Sequence, residues 1–347
     1  MARQPAQKSD VDAPAAPVHQ AHFVPLLPWQ REPWQRLIRR FPDLPHGLLL
    51  AGTVGVGKRR FADRLTAWLL CDQRNDDGAC GRCASCQWLR AGTHPNLLRV
   101  SPEIDSKGKQ SKQIKIDQVR ALMPFVQQTG DGWRVVMIEP AEQMNIAAAN
   151  ALLKTLEEPG ARMLILLIAD QPMQLPATIR SRVQQLALGR IDPAQALDYV
   201  QDEAQVEQAH AQILLGLAGR APLAAVELAK SEMLPARAEW VADWIALCDR
   251  RADALTVSAR WQKRLPLPVW LSMVDYLLRD LIALHLGQPV IQQDLALSSL
   301  QQRLSLPALL DASAQIPRLL AAAQQNVQVG LVCDSFIMHL STMAHAA

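Results

Sequence analysis

A chain of 347 residues is too long for one typical domain and fits two or three, and its 49% apolar and 20% charged residues are the composition of an ordinary globular protein. Its net charge of +3 argues against a strongly basic domain that binds nucleic acid on its own. No stretch approaches the roughly 20 apolar residues that cross a bilayer, and the amino-terminal MARQPAQKSDVDAPAAP lacks the apolar core of a secretory signal, so a cytoplasmic protein without membrane contact is expected.

The opening segment is rich in Pro, Ala and polar residues, and residues 1–21 are expected to form a disordered extension. His46 to Ala51 is a short apolar run, the pattern of a buried parallel strand. It leads into Gly-Thr-Val-Gly-Val-Gly-Lys-Arg, residues Gly52 to Arg59. Gly52, Gly55, Gly57 and Lys58 match a phosphate-binding loop, whose backbone N–H groups and lysine cradle phosphates and whose closing Ser or Thr holds magnesium. Arg59 stands in place of that hydroxyl. The loop keeps the means to hold phosphate and loses the metal ligand, and whether ATP or ADP still binds is left open by these residues. Phe61, Leu65, Trp68 and Leu69 then recur at helical spacing. Strand, glycine loop and helix together weigh against a chance glycine-rich turn.

Cys71, Cys80, Cys83 and Cys86 follow at C-x8-C-x2-C-x2-C, four of the six cysteines in the chain. In a reducing compartment such a cluster binds zinc more often than it forms disulfides. Short steps let neighbouring thiolates converge on one tetrahedral ion, while Gly78 and Gly81 let the chain turn around it. Four thiolates leave no open position, so the expected zinc is structural; the alternative is a set of free thiols. Cys248 and Cys333 lie in apolar helical patterns and are expected in the core.

Leu97 to Val100 is a second expected strand, followed by a polar loop from Ser106 to Lys115 and a helix over Ile116 to Gln128. Trp133 to Ile138 is a third strand, Asn145 to Glu158 a helix stopped by Pro159-Gly160, and Met163 to Ala169 a fourth strand. Helices alternating with apolar strands imply an α/β fold with a parallel sheet covered on both faces. Beyond about residue 190 only helical patterns remain, including Pro193 to Val200, Ala204 to Leu217 and Pro222 to Ser231. Trp240, Trp244, Trp261 and Trp270 fall on apolar faces there, which favours packing over base stacking.

Three stretches carry a resemblance. They are Ala149-Asn150-Ala151-Leu152-Leu153-Lys154-Thr155-Leu156-Glu157-Glu158-Pro159, then Leu175-Pro176-Ala177-Thr178-Ile179-Arg180-Ser181-Arg182, and the four-cysteine insertion after the phosphate-loop helix. Thr93-His94-Pro95-Asn96 and Ile116-Asp117-Gln118-Val119-Arg120 extend it. Together they resemble subunits of the bacterial DNA polymerase III clamp loader, an AAA+ assembly that places the sliding clamp on primed DNA. The resemblance is strong over about residues 22–190 and architectural beyond. It implies an AAA+ P-loop domain at 22–190 with the zinc insertion at about 71–86. A helical lid at 191–233 and an all-helical oligomerisation collar at 234–347 would follow.

Within that family, active members carry an Asp-Glu pair after the third strand; the matching positions here are Glu139 and Pro140, and proline can serve as neither base nor water ligand. The polar sensor after the fourth strand falls on Ala169 or Asp170. The sensor arginine of the lid falls on Pro222, with Arg220 nearby. Ser181-Arg182 does match the motif that reaches into a neighbour's ATP site, although Val183 replaces its cysteine. A guanidinium suits that role because it presents fixed donors and a permanent charge; the plain alternative is a surface arginine in a turn. The resemblance therefore implies a non-hydrolysing subunit of a hetero-oligomeric loader within a DNA-directed DNA polymerase (nucleotidyltransferase) holoenzyme, with Arg182 as a trans-acting finger. Its partners would be tau/gamma- and delta-type loader subunits, with the sliding clamp and primed DNA reached through the complex. A catalytic ATPase of tau or gamma type is one alternative. A zinc-dependent nucleic-acid-binding protein is another; the lysines at 107, 109, 112 and 115 are its dense basic cluster, for which a solvated loop is the plainer reading.

Overall fold

The computed structural model describes residues 20–104, 111–128, 130, 132–323 and 329–345. The expected disordered extension lies outside the described residues through position 19, as do Lys107 and Lys109. Gln20–Phe23 already form a 3-10 turn, and His22 is buried there, its Nδ1 2.9 Å from the Asp63 carbonyl. The chain divides into two compact units, Met1–Ile191 and Asp192–Ala347.

In the first unit the elements are α1 (Arg31–Ile38), β1 (Gly47–Ala51), α2 (Lys58–Leu70), α3 (Ala84–Ala91), β2 (Leu97–Val100), α4 (Ile116–Arg120), α5 (Met123–Gln127), β3 (Arg134–Ile138), α6 (Ile146–Glu157), β4 (Met163–Ala169), α7 (Ala177–Arg180) and β5 (Gln184–Ala187). The strands form one sheet in the order β2-β3-β4-β1-β5, and each pairing is parallel. Every residue of β1, β3 and β4 is buried, as expected of central strands covered on both faces. Asn145 caps α6 by accepting the Ala148 N–H at 2.8 Å. Leu49, Ile165 and Leu167 of the sheet share one core with Leu152 and Leu156 of α6.

Two features depart from the sequence reading. The strand β5 carries no apolar run: its Gln184, Gln185 and Ala187 are exposed and Leu186 alone is buried. An edge strand that buries one side chain leaves no hydrophobic pattern to read, and β1 holds it by backbone pairing. The single helix expected over Ile116 to Gln128 is two short ones. Pro124 stands in the first turn of α5, where it has no N–H to continue a ladder from α4.

The second unit contains α8 (Pro193–Ala204), α9 (Gln208–Leu217), α10 (Pro222–Ala229), α11 (Met233–Cys248), α12 (Ala254–Arg264), α13 (Leu267–His285), α14 (Ser298–Gln301), α15 (Leu306–Ala323) and α16 (Val329–Thr342). Among the described residues it holds no strand, and no single helix in either unit's described residues is long and apolar enough to cross a membrane. Helices α8, α9 and α10 pack on one another, while a larger core runs from Met233 to Met343. The indoles of Trp240, Trp244, Trp261 and Trp270 are at most 2% exposed. The Trp240 ring meets those of Trp261 and Trp270 edge-on at 5.3 and 5.1 Å, so these rings are consumed by packing and not free to stack on bases. Burial pushes the Cys248 thiol up to about 11 and raises that of Cys333, as expected of protonated core cysteines.

A buried polar network ties the α13–α14 connection to this core. Asp280, 2% exposed, accepts the backbone N–H groups of Ile291 and Gln292 at 2.9 Å each, and Gln292 Nε2–H at 3.0 Å. Arg237 donates to Gln292 Oε1 at 3.0 Å and to Asp294 Oδ2 at 2.7 Å. Asp280→Ala would leave the two buried donors of Gln292 and the part-buried Ile291 N–H without their acceptor, at about 1 kcal/mol or more each. A loss of about 3 kcal/mol in unfolding free energy is expected from urea titration followed by tryptophan fluorescence. A loss below about 1 kcal/mol would mean that the network relaxes onto other acceptors.

Candidate functional site

The glycine loop lies at the carboxyl end of β1, between β4 and β5 in the sheet. Gly55 and Gly57 both have φ of 88°, a left-handed conformation that side-chain-bearing residues adopt at a cost, and α2 starts directly after Gly57. The loop is held from outside by Trp29 Nε1–H, which donates to the Val56 carbonyl at 2.9 Å, and by Gln30 Nε2–H, which donates to that of Gly57 at 2.8 Å.

Lys58 is only 5% exposed. Its ammonium donates to the carbonyls of Gly52 at 2.7 Å and Thr53 at 2.8 Å, and lies 2.5 Å from Asp170 Oδ1. An ammonium has three donors, so the phosphate-loop lysine is fully engaged within its own chain. The register explains the partner: Ala51 of β1 stands beside Ala169 of β4, which brings Gly52 alongside Asp170. Arg59 is paired in turn. Its Nε–H lies 2.8 Å from both carboxylate oxygens of Glu139, and its Nη2 is also 2.8 Å from Oε1. This hydrogen bonding raises the Arg59 pKa against the opposing effect of burial. Glu139 follows β3, two strands from β1 and thus about 10 Å across the sheet at the usual strand spacing. A guanidinium on a long stem spans that gap where a Ser or Thr hydroxyl would not. Arg59, which closes the glycine loop, and Glu139, which follows β3, therefore close on each other as an ion pair.

The four cysteines of the insertion converge. Their sulfurs all lie within 4.8 Å of one another, with Cys71–Cys83 at 3.9 Å and Cys80–Cys86 at 4.0 Å. Four thiolates at metal bonds of about 2.3 Å make a tetrahedron with edges of about 3.8 Å, so the cluster fits one tetrahedral ion. Cys71 ends α2 and Cys83 begins α3; Gly81 turns the chain between them at φ 72°. Backbone N–H groups of Gln73 and Cys80 point at Cys71 Sγ, and that of Cys83 points at Cys80 Sγ. Amides of Arg82 and Cys83 bring the Cys80 thiol down to about 6, whereas burial raises those of Cys71 and Cys86. His94 braces the cluster: its Nδ1 accepts the Asn96 N–H at 3.1 Å, leaving Nε2–H to donate to Ser85 Oγ at 2.8 Å, which donates to the Leu70 carbonyl.

Arg182 lies elsewhere. It precedes β5 and sits at the amino edge of the sheet, with its carbonyl 3.5 Å from where a Cβ on Gly47 would stand. The glycine loop begins five residues further along β1, about 16 Å away at the usual strand rise, so Arg182 cannot reach the loop of its own chain. The guanidinium donates from Nε to Glu157 Oε1 at 2.7 Å and from Nη1 to the Thr178 carbonyl at 3.1 Å, and its Nη2 is 2.7 Å from the same Glu157 oxygen. Arg182 and Glu157 are 38% and 51% exposed.

A protein-family model described as DNA polymerase III, delta subunit, matches residues 30–192. The delta-prime subunit of DNA polymerase III from Pseudomonas aeruginosa is 40% identical over 247 residues, which cover 70% of this chain and 73% of that one. The chain belongs to the DNA polymerase III delta-prime family. A delta-prime subunit from Yersinia pestis is 35% identical over 240 residues, 67% of each chain. A tau subunit from Salmonella typhimurium is 33% identical over 181 residues, 51% of this chain but 27% of that one.

In this member of the delta-prime family, the structure brings Gly52, Gly55, Gly57 and Lys58 into one loop and the four cysteines into one cluster, and sets Arg182 at the other end of β1 from the loop. Ala169 is buried as the last residue of β4, while Asp170 turns onto Lys58. Pro222 opens α10, and Arg220 before it has a positive φ of 65°. Sequence reasoning did not find the partners of the charged residues: Asp170 for Lys58, Glu139 for Arg59, Glu157 for Arg182. In the sequence Glu139 and Asp170 stand out only as departures from the family's motifs, and Glu157 only as part of one.

Proposed function

We propose that this chain is a non-hydrolysing subunit of the cytoplasmic DNA polymerase III clamp loader that supplies Arg182 to a neighbouring subunit's ATP site. The observation that carries the first half is the Arg59–Glu139 ion pair. It fills the place of a magnesium ligand with a cation and engages Glu139, the acid at the first position of the altered pair, while Pro140 has no group to activate water. The position of Arg182 at the opposite edge of the sheet supports the second half, because a finger there serves only a site on another chain. Residues 22–190 act as an AAA+ domain, 191–233 as a lid and 234–347 as the collar that joins tau/gamma- and delta-type subunits. The sliding clamp and primed DNA are reached through that assembly. Cys71, Cys80, Cys83 and Cys86 hold one structural zinc ion, which links the end of α2 to the start of α3.

The catalytic tau- or gamma-type reading would require hydrolysis without a metal hydroxyl or a base, and the ion pair disfavours it. The isolated chain should therefore show no ATP turnover above background, whether or not it holds ATP or ADP weakly. Turnover on the order of 1 per second, the rate of a slow enzyme, that disappears in Lys58→Ala would overturn the proposal.

A further inference from the structure

The contact between Arg182 and Glu157 has a use that fold stability does not account for. Both side chains are substantially exposed, and ion pairs of that kind add little to stability. Glu157 is moreover the last residue of α6, where the helix dipole disfavours a carboxylate. Yet the two are seated with care. Leu156 Cδ2 would lie 3.0 Å from a Cβ on Gly47, and the Arg182 carbonyl 3.5 Å from it, so the missing side chain at Gly47 lets both segments close on the start of β1. In this arrangement one carboxylate oxygen occupies the Nε and Nη2 edge of the guanidinium. That edge is the fork with which arginine grips a phosphate.

Resting on the finger reading above, we propose that Glu157 is a positioning residue that keeps Arg182 paired until the neighbouring site presents a stronger anion, a nucleoside triphosphate. The terminal phosphate carries more negative charge and three acceptor oxygens, so it competes with a single exposed carboxylate, partly while the neighbouring subunit is open and fully once clamp and primed DNA close it onto the finger, whereas an empty site does not compete. Glu157 thereby makes finger engagement depend on nucleotide next door. The carboxylate touches no reacting atom and acts only through Arg182.

The test uses the loader complex reconstituted with its ATPase subunits and carrying Glu157→Gln, Arg182→Ala or both in this chain. Glu157→Gln removes the charge, keeps the shape and relieves the conflict with the helix dipole, so folding and assembly should be unaffected. Without clamp and DNA, its ATP hydrolysis should rise about two- to fivefold, the scale on which loss of an exposed ion pair shifts an equilibrium. With clamp and primed DNA, where the finger is already engaged, the rate should match wild type. The double variant should equal Arg182→Ala alone. An unstimulated rate for Glu157→Gln at or below wild type, while Arg182→Ala still lowers the stimulated rate, would overturn the inference and leave the finger standing. A rise that persists in the Arg182→Ala background would also overturn it, since the effect would bypass the arginine. If Arg182→Ala has no effect at all, the finger reading fails and the inference with it.

Discussion

Arg182→Ala in the reconstituted complex is expected to reduce hydrolysis at the site it serves by about 10³–10⁵-fold, the worth of such a finger in other nucleotidases. The measured whole-complex rate should fall less, because sites served by other subunits keep working. The physical reason for the large local effect is charge. Phosphoryl transfer spreads negative charge over the equatorial oxygens, and a guanidinium placed against them in a dry site stabilises that charge directly. The same substitution should leave the chain folded and able to assemble, since Arg182 makes only exposed contacts with Glu157, Thr178 and Ser181. Arg182→Lys should fail substantially as well, because an ammonium lacks the planar fork. Clamp- and DNA-stimulated hydrolysis, compared across wild type and both variants, decides the matter. Equal rates in all three would reduce Arg182 to a surface residue.

Removing the metal is expected to have the next largest effect. A structural zinc site can contribute about 10–16 kcal/mol of apparent binding energy, and here the four cysteines that could hold one join two helices through a segment with little core of its own. Cys71 and Cys86 are 2% and 0% exposed, so without an ion two buried thiols lose their shared partner. Protein purified without chelator should contain about one equivalent of zinc by elemental analysis, and Cys83→Ser/Cys86→Ser should contain none. Each kcal/mol moves the melting midpoint of a domain of this size by about 2–4 °C, so the double variant should melt at least about 10 °C lower even if half of the stabilisation is recovered by relaxation. Undiminished zinc in that variant would place the ligands elsewhere.

Much of the first unit was legible from residue pattern alone. HGLLLA, WRVVMI and MLILLIA read as strands because a parallel strand covered on both faces needs an unbroken apolar run. The four cysteines read as a cluster because short spacing lets their sulfurs converge. The glycine loop was legible because a phosphate loop needs its glycines at set positions after a strand. Where burial is partial, pattern fails: Gln-Gln-Leu-Ala of β5 buries one side chain, and Pro124 decides between one helix and two by a single missing N–H.

By itself, then, the chain determined that Arg59 closes the glycine loop without a hydroxyl and that Pro140 offers no base, since neither residue carries those groups in any fold. It also set four cysteines within 16 residues at steps that let their thiols converge. Only the tertiary structure decided how the remaining charges are spent. Lys58 meets Asp170 because β1 and β4 are neighbours in register, and Arg59 meets Glu139 across two strands. Arg182 meets Glu157 at the edge of the sheet opposite its own loop. Each pair joins residues from 25 to 112 positions apart, brought together by strand order and parallel register. Local periodicity reports which face of an element is buried, and it carries no record of which distant element will lie beside it.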